Sequence, residues 1–165
     1  GQLKESTSKI LPVYINCHLN SSPFKIFSEI RRAVIGMPPP DSGVPITKVQ
    51  EEVFSRLSKT GKTLVVALDD FDFLVANSTA NDVLYSILRA HENYKGVISS
   101  VFAVGIKDSM HALDGRVRSI FSPVRIEFPQ YSSEEIFSVL NNRCDKGLYA
   151  GVLDKTILKK ITEKT

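Results

Sequence analysis

The spacing of apolar residues along this chain switches repeatedly between short continuous or alternating runs and helical stripes, and the switches mark its elements. "LPVYINC" (11–17) is a mostly apolar run after a polar start and reads as a strand. "SSPFKIFSEIRRAV" then puts Phe24, Phe27, Ile30 and Val34 on one helical face. Ser22 is placed to cap that helix and Pro23 to fill its first position, where a missing N–H costs nothing. A Pro/Gly-rich connection, 36–45, leads to a helix predicted over 46–59. Ile46, Val49, Val53, Phe54 and Leu57 share one face of it, and Thr47 and Gln50 stand at capping-box spacing. Residues 64–68, Leu-Val-Val-Ala-Leu, are continuously apolar, the pattern of a strand covered on both faces in a parallel sheet.

The second half continues the alternation. Val83, Leu84, Ile87 and Leu88 form the stripe of a helix over roughly 79–91, and "VISSVFAVGI" (97–106) reads as a strand. Short helical pieces broken at Asp114-Gly115 follow. Alternating Val124, Ile126 and Phe128 predict a strand over 123–128, nearer a sheet edge. Ser132 and Glu135 form a capping box at the head of the next helix, and a last helix is expected over 153–161. Strands alternating with helices imply an α/β fold, a mostly parallel sheet with helices on both faces. Three strand ends are polar, at Asn16-Cys17, Asp69-Asp70 and Lys107-Asp108, and they should converge on the sheet edge where such folds bind ligands.

Composition narrows the picture only a little. At 165 residues the chain is long enough for one well-cored domain, and its net charge of +3 is too small to establish a nucleic-acid partner. Two cysteines far apart and no secretory signal suit reduced thiols in the cytoplasm, and no apolar run is long enough for a membrane span. The three histidines show no metal-ligand spacing with the cysteines, which argues against zinc.

The candidate chemistry lies in "TGKTLVVALDDFDFL" (60–74). Gly61-Lys62-Thr63 looks like the end of a phosphate loop, but Arg56 stands where the leading glycine belongs, and a helix precedes it with a strand after it, the reverse of the required order. A helix C-cap with a left-handed glycine is the reading that fits. Asp69 and Asp70, at the end of an apolar strand, match the Walker B pattern instead, in which the first acid holds Mg²⁺ through water and the second orients or deprotonates the attacking water. A strand end followed by an Asx turn explains the same residues without chemistry.

Taken in order, "PVYINCHLNSSPFKIFSEI", "LVVALDDFDFL", "SVFAVGIKDS", "LDGRVRSIF" and "PVRIEFPQYSSEEIFSVLNNRC" resemble the AAA+ ATPase core of the archaeal replication initiators. These are relatives of the eukaryotic origin-recognition and cell-division-cycle loading proteins. The resemblance implies a three-layer, parallel-sheet P-loop NTPase core over 1–130 and the start of a helical lid over 131–165. It implies ATP or ADP with Mg²⁺ as cofactors, and origin DNA, the replicative helicase and other initiator subunits as partners, with no membrane. It gives Asp69 the Mg²⁺, through water, and Asp70 the activation of water, with a side chain one methylene shorter than the glutamate common in related ATPases. Lys107 falls where the family has a sensor asparagine facing the γ-phosphate, which puts hydrolysis in question more than binding. Arg116 or Arg118 matches the finger supplied to a neighbouring subunit; two solvated helix charges are the plain alternative. Residues 36–50 match a DNA-contacting element, with Met37, Pro38, Pro39, Pro40 and Lys48 as its candidate contacts; an ordinary exposed loop is the alternative.

The family's phosphate loop belongs before the strand containing Tyr14, and its sensor-2 arginine and winged-helix domain after Thr165. The sequence therefore reads as a middle piece of a slow ATPase, itself inactive and binding nucleotide weakly or not at all. A degenerate ATPase fold serving as an interaction scaffold is the rival from another class, and a different signalling or chaperone-like NTPase a third reading.

Overall fold

Parallel pairing of three strands carries the first part of the chain. The computed structural model describes residues 9–40, 43–106, 110–149, 152 and 155–162. Strand β1 (Ile10–Asn16) pairs with β2 (Thr63–Asp69), which pairs with β3 (Ser99–Ala103), in the order β1-β2-β3. Val13 faces Val66, Asn16 faces Asp69, and Leu68 faces Ala103, so the strands end nearly level. The residues up to Pro123 and those from Val124 on form two compact units.

Between β1 and β2 lie helices α1 (Pro23–Ile35) and α2 (Ile46–Thr60). Ser22 Oγ accepts the Lys25 N–H at 3.3 Å, Pro23 opens α1, and Ile26, Phe27 and Ile30 are buried, with Phe24 and Val34 partly so. Gly61 closes α2 at φ 62°, donating its N–H to Leu57 O, so the glycine-lysine pair is a helix end, as its context indicated. The start of α2 differs from expectation. Pro45 is its N-cap and no side chain caps it; Thr47 already lies inside the helix, and Gln50 Nε2 instead donates to Ser86 Oγ at 3.1 Å.

After β2 a short helix not evident in the apolar pattern, α3 (Asp72–Ala76), turns the chain into α4 (Ala80–Leu88) and α5 (Ala90–Asn93). The single helix expected over 79–91 is thus divided at Arg89, whose φ of −98° and ψ of 8° leave the helical region. A 3₁₀ turn (Met110–Ala112) and α6 (Gly115–Ile120) follow β3 and pack through Leu113, Val117 and Phe121 into the core shared by α1, α2 and α4.

The expected covering of both sheet faces is only half present among the described residues. Leu64, Val66 and Leu68 are fully buried, while Val65 and Ala67 between them are half-buried. On that second face Tyr14 and Phe102, the neighbours of Ala67, are 67% and 61% exposed.

In the second unit α7 (Ser133–Gly147) packs with α8 (Lys155–Thr162), and the box at Ser132 and Glu135 forms as predicted, each side chain accepting the other's backbone N–H. The strand predicted over 123–128 does not form. Val124, Ile126 and Phe128 are 91%, 74% and 90% exposed, and residues 123–128 take part in none of the strand pairings among the described residues. Alternation prepares a segment for a sheet; the backbone still needs an edge to bond to.

Candidate functional site

The level strand ends bring three chain exits together. Cys17 N–H donates to Asp69 O at 2.8 Å, tying the end of β1 to that of β2. Val104 N–H donates to Leu68 O and Phe71 N–H to Val104 O, each at 2.9 Å, tying the exit of β3 to the same place. The turn itself is tight: Asp70 sits at φ 54°, a left-handed conformation that aspartate tolerates better than most residues.

Within this turn the two acids have separate partners. Tyr14 OH donates to Asp69 Oδ2 at 2.6 Å, and Asp69 Oδ1 accepts the Asp70 N–H at 3.0 Å. Asn16 Nδ2 donates to Asp70 Oδ2 at 2.9 Å, while Asn16 Oδ1 accepts the Leu19 N–H at 3.1 Å. The amide of Asn16 is thereby oriented by one bond and orients Asp70 by the other. The hydrogen bond to Asp69 raises the Tyr14 phenol above its ordinary pKa, with partial burial and the acid's charge adding to it. Burial, followed by the charges of Asp69 and Asp70, pushes the Cys17 thiol up to about 12.

Asp72 is a structural neighbour of this turn that the apolar pattern did not single out. Its Oδ2 accepts the Ile106 N–H at 2.7 Å, so this first-turn residue of α3 braces the chain leaving β3. Gly105 allows the approach, since a Cβ there would stand 2.9 Å from Asp72 Oδ2. An acid two positions after the pair, at the head of a helix, was the available signal.

None of the other described candidate residues is bonded to the acids. Lys107 lies outside the described residues. Arg116 and Arg118 are exposed on α6, and no hydrogen bond or ion pair among the described residues joins either to Asp69 or Asp70. Asp114, the N-cap of α6, is held by its N–H to Asn81 Oδ1 at 2.9 Å. In the connection after α1, Met37, Pro38 and Pro40 are exposed, as is Lys48 on α2, whereas Pro39 is buried.

The donor set suits Mg²⁺ in one limited sense. Asp69 offers hard carboxylate oxygens at a strand end, each with spare lone-pair capacity beyond the Tyr14 and Asp70 bonds. That matches an ion held by one or two carboxylates together with water and phosphate. No cluster of three or more His, Cys, Asp or Glu residues forms a protein cage among the described residues.

No protein-family model matches the chain. Its sequence is 43% identical, over 99% of its length, to the ORC1-type DNA replication protein 2 of Methanothermobacter thermautotrophicus, and 36% identical over 99% to that of Methanosarcina mazei. It covers 44% and 45% of those two proteins, so it spans less than half the length of the curated relatives it matches. Among solved structures it resembles the Orc1 protein of Aeropyrum pernix in complex with DNA, with a TM-score of 0.79 and 26% identity over 99% of this chain and 43% of that one. Cdc6p of Pyrobaculum aerophilum shares the fold, with a TM-score of 0.77 and 24% identity over 99% and 43%.

Proposed function

The chain belongs to the archaeal family of ORC1-type DNA replication proteins, with the AAA+ fold, and on that footing we propose that it is the central part of an ATP-dependent initiator that binds origin DNA and helps to load the replicative helicase. The observation that carries the nucleotide reading is the acid pair at the end of the central strand, with each acid held by a different residue of β1. Asp69 is the residue to hold Mg²⁺ through water, and the ion, when bound with ATP, neutralises charge on the phosphates. Asp70 is suited to accept a proton from the attacking water, and Asn16 keeps its carboxylate from swinging away. Arg116 or Arg118, exposed on α6, is suited to reach the nucleotide of a neighbouring subunit, because guanidinium stays charged and grips phosphate oxygens in a fork. Met37, Pro38 and Pro40 with Lys48 form the proposed DNA contact, apolar at its tip and basic at its flank.

The test uses the full-length protein. Asp69→Asn should weaken Mg²⁺-dependent ATP binding, measured by calorimetry, while Asp70→Asn should keep binding and abolish turnover. If both variants bind and hydrolyse as the parent does, the acid pair is a structural turn and the nucleotide reading is wrong. A parent that binds ATP and origin DNA but never hydrolyses would favour the non-catalytic scaffold, to which the short Asp70 side chain also points.

A further inference from the structure

The side chain of Arg31 is turned inward, and its partners give it a task. It is 13% exposed, and its Nε donates to Glu52 Oε2 of α2 at 2.7 Å. Its Nη1 donates to Met37 O and Pro38 O, both at 2.8 Å. The segment it grips leaves α1 through Gly36, left-handed at φ 100°, whose N–H is fixed on Arg32 O at 2.8 Å. Three consecutive prolines follow Met37; they have fixed φ and no N–H, so their stretch cannot knit its own backbone bonds. Arg31 supplies donors for the carbonyls, and Pro39 is itself buried. Met37, 60% exposed, is left projecting from a turn fixed at three places.

We propose that Arg31 is a positioning residue, braced by Glu52, that presents the turn 37–40 to double-stranded DNA as a preformed wedge. This rests on the reading of that turn as a DNA contact. A wedge already in its bound shape avoids much of the ordering cost of association. Arg31 serves it without touching DNA: its Nε is paired with Glu52, and its Nη1 is spent on the two carbonyls rather than on phosphate.

The experiment measures the affinity of the full-length protein for an origin duplex by fluorescence anisotropy at several salt concentrations. Arg31→Lys keeps a charge beside Glu52 but lacks the planar fork. Affinity should fall about tenfold, a cost of roughly 1.4 kcal/mol. The slope of log affinity against log salt should stay unchanged, because no phosphate contact is lost. Parental affinity in Arg31→Lys, or a salt slope smaller by about one, the mark of a lost phosphate contact, would overturn the proposal. Melting temperature is followed in parallel. Should Arg31→Lys fold poorly, Glu52→Gln takes its place: it removes the brace and leaves the carbonyl grip, and a smaller loss at the same slope is expected, with unchanged affinity overturning the idea. A third variant, Met37→Ala with Pro38→Ser and Pro40→Ser, separates the two layers of the argument. If it binds like the parent, the turn does not contact DNA and the underlying reading fails. If it loses affinity while Arg31→Lys does not, the reading stands and only the positioning role falls.

Discussion

At the scale of the residue, the site depends on a few polar side chains that orient one another: Tyr14 holds Asp69, and Asn16 holds Asp70. Asn16 has both ends of its amide engaged, on Leu19 N–H and on Asp70, so replacing it frees the second acid while leaving the first with Tyr14. In the full-length protein Asn16→Ala is expected to lower turnover by about tenfold, the lower range for losing a supporting hydrogen bond behind a reactive group, with ATP affinity unchanged. An equal loss of affinity would mean that Asn16 shapes the site as a whole. The choice of variants at Asp70 matters for the same reason. Its φ of 54° suits Asp or Asn, whereas Ala there adds a backbone cost of about 1 kcal/mol, so Asp70→Asn isolates the chemistry. Cys17 makes a separate prediction. Its folded pKa of about 12 exceeds the ordinary value of 9.0, so between those values the folded state keeps a proton that the unfolded state releases. The resulting stability is complete below pH 9 and is lost as pH rises through 12. At pH 8 a thiol reagent should therefore modify partly exposed Cys144 in the native protein and Cys17 only after unfolding, and Cys17→Ala should flatten the alkaline fall in stability. Rapid native labelling of both thiols would contradict the buried, protonated Cys17.

At the scale of the element, legibility followed how local the deciding interactions are. The caps at Ser22, Gly61 and Ser132 were readable because each is settled within a few residues of itself. Gly61 can be tested directly. Nothing lies within 4 Å of a Cβ built there, so Gly61→Ala should cost only its left-handed backbone, about 1 kcal/mol in a denaturant melt. A much larger loss would reveal a packing role that the open space denies. Thr47 and Gln50 had the spacing of a box, yet Pro45 had already begun the helix and Ser86, 36 positions away, claimed the glutamine. The strand expected over 123–128 failed for a similar reason, since its alternation says nothing about which edge would receive it. The acid pair was legible as an apolar run ending in carboxylates; its control by Tyr14 and Asn16 was not, because strand register across more than fifty residues decides it.

At the scale of the whole molecule, two surfaces ask for partners. The sheet face bearing Tyr14 and Phe102 is apolar and open, together with Ile98 and Val104 at 61% and 58% exposure. Residues 1–165 on their own should therefore bind a hydrophobic dye, and Phe102→Ser should reduce that signal without altering helix content; no dye binding would mean the face is covered in solution. The second surface is α6. It is attached to α4 through buried Val117 and the Asp114–Asn81 bond, while Arg116 and Arg118 extend into solvent. An arginine that acts on its own subunit's nucleotide should work in a monomer. One that acts across an interface should show complementation between differently damaged subunits. Full-length protein with Arg116→Ala and Arg118→Ala together should therefore lose ATPase activity that depends on assembly, yet retain ATP binding. The Asp70→Asn variant, inactive alone, keeps its arginines intact. Mixing the two pairs an intact acid site on one subunit with an intact arginine on the next, and part of the activity should return in proportion to the mixed interfaces formed. Full activity in the double-arginine variant assayed alone would make both residues surface charges, and failure of the mixture to recover any activity would place their action within a single subunit.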